Sequence, residues 1–109
     1  MQSFDVLADP VRRRALELMS QREQASGEIV KVVEAEFGLS QSAVSQHLRV
    51  LRDSGFALVR KDGTKRCYSI NPSGFEDVEA WLNQLRRYWG SRMEGLATEV
   101  ERGKRHRRK

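Results

Sequence analysis

Gly38-Leu39-Ser40 packs a helix stop, a tight turn and a helix start into three residues. A glycine placed after a helix supplies the left-handed conformation that ends it, and serine is a preferred N-cap whose hydroxyl accepts an orphan backbone N–H. Two short helices joined by a glycine-containing turn are therefore expected. That is the layout of a helix-turn-helix, whose second helix enters the DNA major groove. Projected at about 100° per residue, residues 40–54 place Val44, Leu48 and Leu51 on one stripe and Ser42, Ser45, Gln46 and Arg49 on the opposite side. A merely solvated helix more often carries Glu and Lys outward, whereas Ser and Gln suit base edges and phosphates. An ordinary surface helix in a bundle is the competing reading at this point.

The next stretch of the chain favours DNA. Gly55 is expected to close the helix, and residues 56–59 and 67–70 are two β-prone runs flanking Arg60-Lys61-Asp62-Gly63-Thr64-Lys65-Arg66. Asp-Gly is a strong hairpin signal because the turn needs positive φ. A basic two-stranded loop directly after a helix-turn-helix is a wing, and Arg60, Lys61, Lys65 and Arg66 near its tip could reach phosphates or a minor groove.

The net charge of +5 looks like a nucleic-acid signature until it is located. Six of the 20 basic residues lie at 102–109, whereas residues 1–101 hold 14 basic against 15 acidic side chains. The basic character is thus in the tail, and the local cluster in the wing is the better indicator. Residues 103–109 contain no apolar side chain and are expected to form a disordered basic tail, either adding nonspecific phosphate attraction or serving only as a solubilising end. The 109 residues suit one core, so residues 1–102 are read as one DNA-binding and dimerisation domain. A single cysteine excludes an intramolecular disulfide, and no run is apolar enough for a membrane span or a signal core; a soluble cytoplasmic protein is expected.

Other segments hold the reading head. Asp9-Pro10 is a helix start, followed by an inward stripe of Val11, Ala15, Leu18 and Met19; Arg12, Arg13 and Arg14 are read as solvated or salt-bridged in preference to phosphate-facing. Before it, Phe4 and Leu7 can pack. Ser26 is the expected cap of the next helix, with Ile29, Val33 and Phe37 at helical spacing. From 73 to about 102, Val78, Leu82, Leu85, Trp89, Leu96 and Val100 follow a repeat close to seven residues, with Trp81, Tyr88 and Met93 beside them. Such a helix would be about 40 Å long, more than the domain can cover, and a second copy of itself is the economical partner. Gly90 and Gly95 within it could mark close approach or a break. The aromatic cluster could also line a small-molecule pocket, although an interface or core is the plainer reading.

Ala8-Asp9-Pro10-Val11-Arg12-Arg13-Arg14, the run from Gly38 through Gln41-Ser42-Ala43-Val44-Ser45-Gln46-His47 to Leu51, the Asp-Gly wing and Tyr68-Ser69-Ile70 closely resemble the ArsR family of small bacterial transcriptional repressors. The resemblance runs from Phe4 to the long last helix. It implies a mostly α winged helix-turn-helix with a small β-hairpin, in the order four helices, two strands and a fifth helix. It further implies a homodimer joined through the terminal helices, with Phe4, Leu7, Val78, Leu82, Leu85, Trp89 and Leu96 as interface candidates, binding a double-stranded operator. The family's DNA-contacting positions fall on Gln41, Ser42, Ser45 and Gln46, three of which the helical projection also selects; Arg49 lies beside them. His47 projects next to the apolar stripe and reads as a partly buried structural residue.

Departures from the family pattern bear on its effector. Members sensing arsenite, cadmium or lead carry paired cysteines near the first helix of the motif, where this chain reads Gly27-Glu28-Ile29-Val30-Lys31-Val32-Val33. Zinc and nickel sensors use Asp and His pairs on the last helix, but here Asp77 and Glu79 have no histidine until His106. No metal site and no cofactor are expected, and the chain looks more like the metal-independent, autorepressor-like branch. The effector is not legible. Cys67 reads as a small strand residue, a redox role requiring a partner thiol from another chain. No nucleophile with a base, metal set or phosphate loop can be assembled, so enzymatic turnover is not expected. The rival class is a sequence-tolerant architectural or RNA-binding winged helix relying on the wing and tail.

Overall fold

A computed structural model describes residues 3–90. Four helices come first: α1 (Ser3–Ala8), α2 (Pro10–Gln21), α3 (Ser26–Phe37) and α4 (Gln41–Asp53). A short strand, β1 (Gln24–Ala25), lies between α2 and α3, and β2 (Ala57–Asp62) and β3 (Lys65–Ile70) come after α4. A 3-10 turn at Pro72–Phe75 leads into a helix, α5, over residues 76–90. This is a winged helix-turn-helix, mostly helical with a small antiparallel sheet. Chain contacts divide it into two units, Met1–Asp77 and Val78–Lys109. The expected continuation of the last helix to 102, with Met93, Gly95, Leu96 and Val100, and the tail at 103–109 lie outside the described residues.

The cap chemistry accounts for where helices begin and end. Asp9 caps α2, its Oδ1 accepting the N–H groups of Val11 at 2.8 Å and Arg12 at 3.3 Å, with Pro10 in the first turn where no donor is needed. Gly38 ends α3 in the left-handed region, φ 66°, and its N–H reaches the Glu34 carbonyl at 2.8 Å. Ser40 caps α4 through its hydroxyl, which accepts the Ala43 N–H at 3.2 Å. The expected cap at Ser26 is corrected: Ala25 occupies the N-cap and Ser26 is already helical. Pairing with Cys67 keeps Ala25 extended, and Glu28 Oε1 reaches back to its N–H at 3.1 Å, so a carboxylate one turn on satisfies a donor at this helix start in place of a capping hydroxyl.

Two further expectations change. The sheet has three strands in the order β1-β3-β2, not two, because Gln24 and Ala25 pair with Tyr68 and Cys67. Gln24 is buried at this edge, and its Nε2 donates to the Leu18 carbonyl at 2.6 Å, satisfying both groups. The wing strands also run further toward the tip than their β-prone runs, leaving Gly63-Thr64 as a two-residue turn with Gly63 at φ 64° and Asp62 paired with Lys65. Glycine at the first central position suits a primed hairpin turn.

The core gathers Val11, Ala15, Leu18 and Met19 of α2, Ile29 and Val33 of α3, and Val44, Leu48 and Leu51 of α4 over Ala57 and Tyr68 of the sheet and Phe56 just before it. Val6 and Leu16 join it, although neither belongs to the stripes read from sequence. Phe37 does not join it; it is exposed at the end of α3. Phe4 is also exposed, whereas Leu7 packs partly against the core.

The loop after α4 is tied to the chain beyond the wing. Asn71 donates its backbone N–H to the Phe56 carbonyl at 3.0 Å and its Nδ2 to the Gly55 carbonyl at 2.9 Å, and Phe75 meets Phe56 edge-on at 4.9 Å. Gly74 makes this approach possible: a Cβ there would lie 2.2 Å from the Gly55 carbonyl oxygen. Gly74→Ala must therefore shift backbone, and a destabilisation of about 1–3 kcal/mol is expected in urea unfolding. Gly27→Ala, in the first turn of α3 with nothing within 4 Å of its new methyl, should be neutral or slightly stabilising in the same assay.

Candidate nucleic-acid interface

Helix α4 is amphipathic in a way that fixes what it shows to solvent. Once Val44, Leu48 and Leu51 are buried, the 3.6-residue period turns Gln41, Ser42, Ser45, Gln46 and Arg49 outward, and all five are exposed. They line one shallow surface along the helix with Ala43. No acidic residue interrupts it. Arg49 has no ion-pair partner within 4.0 Å among the described residues, whereas Arg52, a turn further on, is held by Asp53 at 2.9 Å.

The wing candidates separate into two kinds. Lys61, Lys65 and Arg66 are exposed at the hairpin tip, and Lys61 stands directly opposite Arg66 in the ladder. Arg60 is engaged: its Nη2 and Nε donate to the two Glu23 carboxylate oxygens at 2.6 and 3.1 Å. The first turn of α3 faces the wing turn across a shallow groove lined by Ala25, Ser26, Gly27, Glu28 and Lys31 on one side and Thr64, Lys65 and Arg66 on the other. Lys31 carries no mark in the sequence; only folding brings it beside the wing. Three cations, Lys31, Lys65 and Arg66, line this groove against one carboxylate, Glu28, whose oxygens are engaged by the Ala25 N–H at 3.1 Å and by Arg22 at 3.7 Å.

The arginines of α2 are internal fasteners. Arg12 Nη2 reaches the Asp5 carbonyl at 3.5 Å and Arg13 Nη1 the Leu7 carbonyl at 2.6 Å, serving carbonyls that the short helix α1 leaves orphaned. Arg14 makes a two-pronged pair with Glu36 at 2.8 and 3.0 Å, joining α2 to α3. His47 is half-buried, its Nδ1 4.0 Å from Asp9 Oδ2, so it sits between α4 and the cap of α2. Cys67 is buried on β3. Among the described residues no three His, Cys, Asp or Glu side chains gather as a metal site, and no helix is long and apolar enough to cross a membrane.

In the second unit, Trp81, Leu82, Leu85, Tyr88 and Trp89 of α5 are 39% to 62% exposed, with Tyr88 and Trp89 edge-to-face at 5.2 Å. Of the interface candidates on this helix, Leu82, Leu85 and Trp89 are exposed and Val78 is half-buried; Leu96 lies outside the described residues.

A helix-turn-helix with a polar exposed second helix, followed by a cationic hairpin, defines a winged-helix DNA-binding protein. The family model described as "Bacterial regulatory protein, arsR family" matches residues 9–58, which span α2 through the first residues of the wing. The HTH-type transcriptional regulator Rv2034 of Mycobacterium tuberculosis is 31% identical over 99 residues, covering 91% of this chain and 86% of that protein. The transcriptional repressor SdpR of Bacillus subtilis is 27% identical, covering 72% of this chain and 83% of its own. Of other curated relatives, some are spanned over just over half of their length, 56%. A solved ArsR-family transcriptional regulator superposes with a TM-score of 0.69 at 31% identity, covering 82% of this chain and 88% of that one. The chain belongs to the ArsR family of bacterial transcriptional regulators.

The two exposed bidentate pairs give a direct electrostatic check. Hydrogen bonding from Arg60 holds the Glu23 carboxyl below its ordinary 4.5, and Arg14 lowers Glu36 in the same way. A carboxylate lowered in the folded state contributes stability that is present above its unfolded pKa and is lost as pH falls through the folded one. Carboxyl-carbon NMR titration should give midpoints below 4.5 for both, and Arg60→Ala and Arg14→Ala should each return only their own partner toward 4.5.

Proposed function

We propose that this protein is a homodimeric repressor that binds a palindromic operator. Gln41, Ser42, Ser45 and Gln46 read base edges in the major groove, and Arg49 adds a phosphate or base contact. Lys61, Lys65 and Arg66 take phosphates from the wing, with Lys31 and the first turn of α3 beside them. The observation that carries the reading is the face of α4: five exposed, uncharged or cationic hydrogen-bonding side chains, forced outward by a buried stripe on the other side. Amide side chains can hold adenine bidentately and guanidinium groups guanine, which gives this face discriminating power a lysine-rich helix lacks. Membership of a family of transcriptional regulators, with a repressor among the relatives, supports control of transcription over turnover of a substrate.

Dimerisation through Phe4 and Leu7 of α1 and Val78, Leu82, Leu85 and Trp89 of α5 is part of the proposal. It is supported by the exposure of large apolar side chains along α5, a composition that singly scattered surface residues do not produce. Two copies would present two reading helices to successive major grooves. The protein acts in the cytoplasm, where its operator is.

Selection of bound duplexes from a random pool, followed by titration at several salt concentrations, tests the reading. An operator half-site should emerge, repeated with inverted symmetry. Gln46→Ala should relax the choice at one base pair and cost about 1–3 kcal/mol on the selected site. Lys65→Ala should weaken selected and unrelated duplexes alike and reduce the salt slope by about one. Equal binding of all duplexes would replace this account with that of a sequence-tolerant architectural protein. Sedimentation should show a dimer that Leu82→Asp with Leu85→Asp converts to monomer.

A further inference from the structure

We propose that Glu23 and Arg60 form a strap that sets the pose of the wing, so that both are positioning residues and Arg60 is not itself a phosphate contact. The inference rests on the DNA-binding reading above and refines the wing's part in it.

The register locates the strap. Arg60 on β2 stands opposite Cys67 on β3, and Cys67 stands opposite Ala25 on β1, so the three residues form one rung across the sheet. Glu23, the residue before β1, reaches the Arg60 side chain on that rung, its two carboxylate oxygens held at 2.6 and 3.1 Å. The bidentate pair therefore ties β2 to the residue that leads into β1, the strand on the far side of β3. Gln24, Tyr68 and Val59 form the neighbouring rung, on the opposite face.

Toward the tip, strand pairing with β1 ends at this rung. β1 pairs only with Tyr68 and Cys67, so beyond Arg60 the wing is a two-stranded ribbon. Isolated two-stranded ribbons are marginal in water. Its next rung sets Lys61 against Arg66, like charges directly opposed, and neither has an ion-pair partner within 4.0 Å among the described residues. The outermost rung, Asp62 against Lys65, is of opposite charge, so the repulsion is confined to the rung adjoining Arg60, and the strap holds the last rung that β1 supports. A two-pronged guanidinium–carboxylate pair fixes direction as well as distance, which suits this task.

The charge of Glu23 supplies the test. A carboxylate next to a phosphate-binding element repels DNA, so on electrostatics alone Glu23→Gln should tighten duplex binding. The strap requires the opposite. Fluorescence anisotropy of the full chain with its selected duplex should show Glu23→Gln and Arg60→Gln each weakening binding roughly fivefold, with unchanged melting temperature. The reversed pair, Glu23→Arg with Arg60→Glu, should bind more tightly than Arg60→Glu alone. Backbone amide order parameters, measured without DNA, should fall at residues 61–66 in Glu23→Gln and nowhere else. Equal or tighter binding by Glu23→Gln, no gain from the reversed pair, or an unchanged order profile would each overturn the strap. Loss of selectivity for any duplex in the unmodified chain, with the order profile responding as expected, would overturn the function and leave the strap.

Discussion

The burial of one stripe on α4 governs the rest. Val44, Leu48 and Leu51 are all but fully removed from solvent, within a cluster to which α2, α3 and the sheet contribute the other members. Burying three branched side chains contributes several kcal/mol, far more than any single polar contact on the helix surface. That burial fixes the rotation of α4 about its axis, so the directions of Gln41, Ser42, Ser45, Gln46 and Arg49 are decided by atoms on the opposite side. A base-reading helix needs this division: groups that read must be free of the fold, yet held in place by it. The caps at Gly38 and Ser40 complete the arrangement by fixing where the helix begins, and hence which residues lie in its first turn.

Much of this is legible in the sequence because its causes are local. Stop, cap and apolar period at 38–51 are properties of neighbouring residues, and the start at Asp9-Pro10 is of the same kind. What escapes has long-range causes. β1 is two residues long and exists because Tyr68 and Cys67 lie alongside, so no alternation could announce it. With β1 comes the shift of the α3 cap from Ser26 to Ala25, since extension at Ala25 is imposed by a distant strand. Phe37 keeps its helical spacing but lies at the last turn of α3, where the core no longer reaches. Val6 lies in a helix of six residues, too short for a period to be counted.

Arginines show the same limit most clearly. Four of them, at 12, 13, 14 and 60, look interchangeable with Lys65 or Arg49 when charge alone is counted. Each is committed in the fold to a carbonyl or carboxylate: Asp5, Leu7, Glu36 and Glu23 respectively. The partner of Arg60 lies 37 residues back and that of Arg14 22 residues ahead, so neither commitment can be read from a local cluster. Among the described residues of the first unit, the basic side chains without such a commitment fall at two places, α4 and the wing. Arg49 faces outward from α4, Lys31, Lys65 and Arg66 line the groove at the wing, and Lys61 stands opposite Arg66 on the ribbon.

Concentration of charge has a cost that the architecture must meet. Cations gathered for a polyanion repel one another before it arrives, and a hairpin tip is the least supported place to put them. Long flexible side chains on a loose ribbon would lose much of their gain on binding to the entropy of being ordered. The sheet answers with a third strand at the base of the hairpin and an ion pair across it, both near the rung where pairing with β1 ends. Exposed ion pairs add little to global stability. Their value here is directional: the pair lies where a small angular freedom would be magnified along the hairpin into a displacement of every cation beyond it.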